Sequence, residues 1–377
     1  MVTSPPSVPL PSGVRSRYIA DVNGLRMHVL EAGFEMPGRP RILLLHGFPE
    51  LAFSWRKVMP TLAAAGYHVI APDQRGYGRT TGWDAGYDGD FASFRLSNLV
   101  RDALELVSAF GYSDVDAVIG HDFGAVVAAW CALMRPDVFR SVVLMSTPFA
   151  GPPTNGAKGP ANDIVYRALA ALPRPRKHYQ QYYCSREANE DMHGAPQGVH
   201  NFLRAYYHFK SADWSGNVPL PLKSWDAHEL SALPTYYIMD LAKGMAATVA
   251  EQMPSRSMIA ANTWLPDDEL AYYSVEFSRT GFQGGLQWYR CSGSNEHSSE
   301  LASWSGRTID VPSTFIAGKQ DWGIYQAPGA FEAMQHAACS RMAGCHLVER
   351  AGHWVQQEQP DEVSRLIQAF LSHAEAK

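Results

Sequence analysis

The sequence predicts an α/β fold in which a mostly parallel, doubly wound sheet carries an inserted, mainly helical lid. Short apolar runs alternate with helical stretches, which is the pattern of a parallel sheet covered on both faces. The alternation stops near residue 148 and resumes near residue 308, and the stretch between is rich in Tyr and Trp. The predicted order is a leader at 1–15, core at 16–147, a lid (cap) at 148–307 and core again at 308–377.

The composition is that of an ordinary globular protein and disfavours several classes of function. The 377 residues carry a formal net charge of -5 and 18% are charged, so no surface for nucleic acid is predicted. No run of about 18 apolar residues suggests a membrane span. Five widely spaced cysteines without a CxxC pair predict neither a disulfide framework nor a zinc site. We expect a cytoplasmic protein with a disordered leader, no membrane contact, and no metal or cofactor.

The first predicted element is a hairpin over residues 16–32. Asn23 and Gly24 separate its two strand-like segments, and this pair tolerates the positive φ angles of a tight turn. Short apolar runs then predict buried strands at 41–45, 67–72, 115–120, 141–146 and 313–318.

The lid is expected to lack repeated strand signals. A short basic cluster within it consists of Arg174, Arg176 and Lys177. Because the cluster is short and contains a proline, we expect a solvated segment that leads into a helix, and no binding patch.

Asp122 follows the strand at 115–120 by two residues. Ligands of a doubly wound sheet bind outside the C-terminal ends of its strands, and Gly120 and Gly124 flank Asp122 at the spacing of a nucleophile elbow. The alternative is a helix N-cap, a position at which aspartate is favoured. A carboxylate is ionised at neutral pH and attacks an electrophilic carbon without a base. The resulting ester must then be hydrolysed.

Hydrolysis of such an ester needs a base and an oxyanion hole, and both have candidates. Asp321 follows the strand at 313–318, and His353 follows the next strand. Each alone is an ordinary turn or loop residue, but their order after Asp122 matches nucleophile, acid and histidine. The backbone N–H groups of Phe48 and Phe123 are predicted to form the oxyanion hole. The residues expected to shape the loop before it are His46, Gly47 and Pro49.

Five motifs together resemble the epoxide hydrolases of the α/β-hydrolase fold and their dehalogenase relatives. They are HGFPE (46–50), APDQRGYG (71–78), GHDFG (120–124), GKQD (318–321) and GHW (352–354). The resemblance covers most of residues 16–148 and 311–360. It implies an enzyme that converts an epoxide and water to a vicinal diol through a covalent ester of Asp122, without a cofactor.

The resemblance also implies two lid tyrosines that protonate the epoxide oxygen. TGFQGGLQWYR, which ends at residue 290, is similar to the family's second motif and assigns Tyr289. HYQQYYCSREAN, which begins at residue 178, is similar to the first motif and favours Tyr179 over Tyr182 or Tyr183. A phenol with a pKa of about 10 is protonated at neutral pH and can donate.

Two rival functions and several details stay open. A dehalogenase is disfavoured because Phe123 and Val126 stand where those enzymes carry tryptophan or arginines that hold halide or haloacid. A non-catalytic ligand-binding relative is disfavoured because all five reacting groups are present. Glu50 resembles a residue that positions the hydrolytic water, or it merely follows a turn.

The aromatic lid implies a small apolar epoxide, but residues 193–230 match no family motif. This mismatch leaves substrate size and access open. The sequence names neither the epoxide, its enantiomer nor the carbon attacked. It also leaves open whether two copies pair as a homodimer, and whether the role is detoxification or biosynthesis.

Overall fold

The structure, a computed structural model, describes residues 7–153, 160–294 and 299–375. The strands in those ranges are β1 (Val14–Val22), β2 (Leu25–Ala32), β3 (Arg41–Leu45), β4 (His68–Pro72), β5 (Ala117–His121), β6 (Val142–Met145), β7 (Arg176–His178), β8 (Ile238–Asp240), β9 (Ser313–Gly318) and β10 (Met342–Val348).

The α-helices in the same ranges are α1 (Met59–Ala64), α2 (Leu96–Ala109), α3 (Phe123–Met134), α4 (Pro160–Ala170), α5 (Tyr179–Tyr183), α6 (Glu187–His193), α7 (Gly198–Lys210), α8 (Ala227–Leu230), α9 (Met245–Ala250), α10 (Arg256–Ala261), α11 (Asp267–Thr280), α12 (Gln283–Gly293), α13 (Ala330–Ala333), α14 (Val355–Glu358) and α15 (Pro360–Glu375). Short 3-10 turns are formed by Ala52–Trp55, Phe91–Phe94, Ser299–Trp304 and Trp322–Ile324.

Eight strands form one sheet in the order β1-β2-β4-β3-β5-β6-β9-β10. β1 and β2 are antiparallel, as are β2 and β4, and the neighbours from β4 onward are parallel. The residues of β3, β4, β5, β6 and β9 are buried almost throughout, as expected for strands covered on both faces. Because parallel strands end at the same edge, the segments that follow β3, β5, β9 and β10 meet there.

The predicted hairpin and the predicted strands are confirmed, with ends that differ by at most two residues. The prediction that the basic cluster at 174–177 is solvated is wrong for Arg176. This residue lies in β7, is 8% exposed and donates to the carbonyl oxygen of Ile238 at 2.6 Å. Pairing of β7 with β8 draws it inward, whereas Arg174 stays exposed and pairs with Asp240.

Between β6 and β9 the described chain is mainly helical and covers the edge where the parallel strands end. Buried polar contacts join it to the core. Arg79 Nε donates to Glu276 Oε1 at 2.7 Å, and Trp288 Nε1 donates to the carbonyl oxygen of Arg75 at 2.9 Å. The boundaries expected for this lid, 148–307, stay a prediction, and residues 154–159 and 295–298 lie outside the described ranges.

The expected leader, 1–15, also lies partly outside the described residues, which begin at residue 7. β1 starts at Val14. In the described part of the chain, no helix combines the length and apolar character needed to cross a bilayer.

Candidate active site

Asp122 occupies the sharp turn between β5 and α3. Its φ angle is 53°, in a region that residues other than glycine rarely adopt. A Cβ atom at Gly120 would lie 2.0 Å from the carbonyl oxygen of Gly124, and one at Gly124 would lie 2.2 Å from that of Leu45. Only glycine fits either position. The turn therefore aims the Asp122 side chain away from the strand and over the edge of the sheet.

The loop after β3 holds one oxygen of this carboxylate. The N–H of Phe48 donates to Asp122 Oδ1 at 3.0 Å. A Cβ atom at Gly47 would lie 2.4 Å from that of Asp122, so glycine permits the approach. His46 is buried; its Nδ1 lies 2.9 Å from the carbonyl oxygen of Gly47, and its Nε2 accepts from the N–H of Gln74 at 3.2 Å. These contacts fix the course of the loop.

The other predicted members of this region lie at its margins. Phe123 is the first residue of α3, and the first four N–H groups of a helix have no partner within it. The carbonyl oxygen of Pro49 accepts from the hydroxyl of Tyr207 at 2.9 Å, which joins the loop to α7 of the lid.

His353 and Asp321 lie beside Asp122, on the loops that follow β10 and β9. His353 Nδ1 is 3.1 Å from Asp321 Oδ1 and 3.2 Å from Oδ2. Asp321 Oδ1 also accepts from the N–H of Gly323 at 2.7 Å. His353 Nε2 lies 3.4 Å from Asp122 Oδ2; it is buried and makes no aligned hydrogen bond with the described residues. The structure thus brings the three predicted groups into one line.

The electrostatics of this line favour an ionised Asp122. Burial alone would raise the pKa of its carboxyl, but the adjacent His353 and the charge of Lys210 outweigh burial and hold that pKa well below the ordinary range. Burial would likewise raise the pKa of Asp321, and His353 and the Gly323 N–H lower it overall. Both carboxylates therefore carry charge at neutral pH.

Tyr179 and Tyr289 face each other above Asp122, with ring centroids 6.0 Å apart. Burial raises both pKa values well above the ordinary phenol value, and the charge of Asp122 raises them further. The Tyr179 hydroxyl donates to Gln326 Oε1 at 3.1 Å, whereas the Tyr289 hydroxyl makes no hydrogen bond with the described residues. Both phenols are thus neutral donors close to a carboxylate.

Two local structures hold these phenols in place. The N–H of Tyr179 donates to the carbonyl oxygen of Tyr237 at 2.8 Å, at the end of the β7–β8 pair. Tyr289 lies on α12, where Gly284 meets Gly76: a Cβ atom at Gly284 would lie 2.0 Å from the carbonyl oxygen of Gly76. This close backbone contact lets α12 pack directly on the core.

The alternatives to Tyr179 have other partners. The Tyr182 hydroxyl donates to Asp191 at 2.5 Å, away from Asp122. The hydroxyl groups of Tyr183 and Tyr206 lie 3.0 Å apart.

Glu50 is fully buried behind the triad. Its Oε2 lies 2.6 Å from His121 Nδ1 and accepts from the N–H of Gly47 at 3.0 Å, while its Oε1 accepts from Gln356 at 2.9 Å. His121 Nε2 in turn lies 2.7 Å from the carbonyl oxygen of His353. Water positioning by Glu50 stays a prediction; its contacts tie the loop after β3 to the loop that carries His353.

Two residues near the triad were not predicted. Lys210 ends α7, and its carbonyl oxygen accepts from the N–H of His353 at 2.9 Å. Glu358 accepts from the N–H groups of Gly352 and Trp354, both at 3.0 Å. No local sequence pattern marks Lys210, because the rings around its ammonium come from three separate parts of the chain.

No group of three or more His, Cys, Asp or Glu side chains suited to a metal ion is present in the described ranges. The triad and the phenols thus combine a charged carboxylate, a histidine beside it and two neutral hydroxyl donors.

Comparison with known proteins agrees with this geometry. A family model described as alpha/beta hydrolase fold matches residues 40–179. Epoxide hydrolase A of Mycobacterium tuberculosis is 32% identical over 376 residues, which cover 97% of this chain and 100% of that protein. The chain belongs to the epoxide hydrolase family.

Solved structures lead to the same family. An epoxide hydrolase from an endophytic Streptomyces has a TM-score of 0.78 and 30% identity, and the match covers 97% of this chain and 98% of that one. Potato epoxide hydrolase I has a TM-score of 0.73 and 29% identity, covering 96% and 99%. The resemblance inferred from the five motifs, and the α/β-hydrolase fold that it implied, are confirmed.

Proposed function

We propose that this epoxide hydrolase family member converts an apolar epoxide and water to a vicinal diol through an ester of Asp122. The observation that carries the proposal is the setting of the Asp122 carboxylate. One oxygen accepts from the Phe48 N–H at 3.0 Å, and the other lies 3.4 Å from His353 Nε2.

In the first half-reaction, Asp122 forms a bond to one epoxide carbon and the C–O bond of the ring breaks. The epoxide oxygen becomes an alkoxide, which takes a proton from Tyr179 or Tyr289. Their raised pKa values keep both phenols protonated before the reaction, and general acids of this kind contribute about 10²- to 10⁴-fold.

In the second half-reaction, water attacks the carbonyl carbon of the ester. His353 Nε2 takes the proton from water, while Asp321 holds Nδ1 and orients the ring. The N–H groups of Phe48 and Phe123 stabilise the oxyanion, each donor contributing about 3 kcal/mol. Collapse breaks the ester bond, His353 returns the proton to the leaving oxygen, and the diol is released.

Aromatic rings around Asp122 support an apolar substrate. The Phe123 and Tyr289 ring centroids are 5.2 Å apart, those of Phe48 and Tyr289 are 5.6 Å apart, and those of Phe48 and Tyr183 are 5.2 Å apart. We further propose a cytosolic enzyme, in keeping with its five free cysteines, that acts alone or as a homodimer.

The test is the intact mass of His353→Gln after brief incubation with a terminal epoxide, a disubstituted epoxide or a haloalkane. Removal of the base stalls the cycle at the ester, so we expect a gain equal to the whole epoxide, on the peptide that contains Asp122. The matched control is the double variant Asp122→Asn/His353→Gln, which should gain no mass.

The other outcomes are equally informative. Gain of an alkyl group with loss of halide indicates a dehalogenase. Absence of an adduct, together with absence of diol from the wild-type protein, contradicts the proposal and favours a ligand-binding role.

A further inference from the structure

Lys210 is a buried cation without a counter-ion in contact. The residue is 4% exposed, and its ammonium makes no hydrogen bond or ion pair with the described residues. Four aromatic rings surround the nitrogen at centroid distances between 5.0 and 5.8 Å. Such rings stabilise a cation by their negative faces. They are those of Tyr206, Tyr236, Tyr237 and Trp354.

The charges that act on this ammonium belong to the active site. Burial lowers the pKa of Lys210, and Asp122, Asp321 and Glu50 counteract that effect. In return, Lys210 contributes to the lowered pKa values of Asp122 and Asp321. The phenols of the surrounding tyrosines have raised pKa values and are neutral. Lys210 therefore interacts electrostatically with the carboxylates of the triad.

Lys210 is also joined to the triad through the backbone. Its carbonyl oxygen accepts from the His353 N–H at 2.9 Å. A Cβ atom at Gly352 would lie 2.6 Å from the same oxygen, so the two segments pack without side chains between them. Glu358 bonds both segments, accepting from the N–H of Ala212 at 2.8 Å and from that of Gly352 at 3.0 Å. The backbone of Lys210 thus has a fixed position relative to that of His353.

We propose that Lys210 is a positioning residue for the second half-reaction, whose charge stabilises the oxyanion on Asp122. This inference rests on the proposed function. Formation of the ester removes the negative charge of Asp122, and attack by water restores it on the same group. A fixed cation nearby stabilises the returning charge without reorganisation.

The experiment compares Lys210→Met, which keeps most of the shape, with Lys210→Arg, which keeps the charge. Styrene oxide is mixed with excess enzyme at several pH values, and the ester and diol are quantified after acid quench. For Lys210→Met we expect ester formation to be retained and ester hydrolysis to slow at least about tenfold. Lys210→Arg should restore the rate of ester hydrolysis, and the surface variant Lys243→Met should match wild type.

Each result decides between explanations. Unchanged ester hydrolysis in Lys210→Met, with reduced thermal stability alone, overturns this inference and leaves Lys210 a structural residue. A raised KM of Lys210→Met for a carboxylate-bearing epoxide, with unchanged ester hydrolysis, also overturns the inference and indicates that Lys210 binds the substrate. Failure of the wild-type protein to form an ester contradicts the proposed function itself.

Discussion

Asp122 is a charged carboxylate among aromatic residues, and its charge affects the pKa of the two nearby phenols. Tyr179 and Tyr289 have raised pKa values, first because they are buried and second because of this carboxylate. Loss of a phenolic proton next to a second negative charge is costly in a medium of low polarity. In the proposed mechanism, Asp122 therefore keeps both phenols protonated until the ring opens and the negative charge moves to the epoxide oxygen.

The two phenols can be tested separately. We expect Tyr179→Phe and Tyr289→Phe each to slow ester formation by about 10- to 100-fold, and the double variant by at least about 10³-fold. Ester hydrolysis should be nearly unchanged, because the phenols act on the epoxide oxygen. Pre-steady-state fluorescence with an epoxide in single-turnover conditions measures the two steps.

Tyr182→Phe is the matched control, since the Tyr182 hydroxyl donates to Asp191. Ester formation that slows as much in this variant as in Tyr179→Phe would show that the first lid motif was assigned to the wrong tyrosine.

At the scale of elements, α11 and α12 attach the lid to the core at several points. Glu276 of α11 pairs with Arg79, and Trp288 of α12 donates to the carbonyl oxygen of Arg75. Beside these contacts, Gly284 and Gly76 touch through their backbones. Tyr289 lies five residues after Gly284 on the same helix, so its distance from Asp122 depends on how closely α12 approaches the core.

We predict that Gly284→Ala lowers both stability and activity. The added methyl would lie 2.0 Å from the carbonyl oxygen of Gly76, so α12 must move away. Overpacking of this kind costs about 1–3 kcal/mol, and the shift carries Tyr289 with it. Chemical denaturation measures the first effect, and the rate of ester formation measures the second.

Gly293→Ala, at the end of the same helix, is the control. Its methyl would lie 3.4 Å from the sulfur of Cys184, an ordinary contact, and both quantities should stay near wild type. Equal losses in the two variants would mean that the contact with Gly76 does not determine the result, because helix propensity alone favours alanine over glycine.

At the scale of the whole molecule, buried carboxylates make the free energy of unfolding depend on pH. At each of four such groups burial opposes ionisation, but a histidine neighbour outweighs it, and the pKa in the fold lies below its ordinary value. Each contribution is complete above the unfolded value of about 4 and is lost as pH falls through the folded value. The four are Glu50, Asp73, Asp122 and Asp321.

We therefore expect these four groups to lower the urea midpoint steeply as pH falls below about 4. Asp73→Asn should lower the free energy of unfolding at neutral pH. Below about pH 4 it should also reduce the slope of that free energy against pH by the equivalent of about one bound proton. The exposed Asp268→Asn should change neither. An unaltered slope in Asp73→Asn would contradict the assigned direction of its pKa shift.

The sheet and the triad could be predicted because their signals are local. Buried strands are continuous apolar runs, and Asp122, Asp321 and His353 follow strand ends directly. The lid gave weaker signals. β7 and β8 have three residues each and pair across about sixty intervening residues, so neither shows a period, and the burial of Arg176 was missed for that reason.

Lys210 was missed for a different reason. It lies in a segment without a family motif, and a lysine at the end of a helix is usually solvated. Its burial depends on rings from three separate parts of the chain, and no local pattern encodes such an arrangement.

The bonds among Lys210, His353 and Glu358 have a consequence for engineering by recombination. A lid grafted from a relative onto this core would replace the backbone carbonyl that holds His353 in place. The graft would therefore need matching residues at 352–358, although these lie beyond the lid. The lid and the loop that carries His353 should therefore be exchanged together. We expect a library that recombines them as independent blocks to yield folded proteins in which His353 is misaligned.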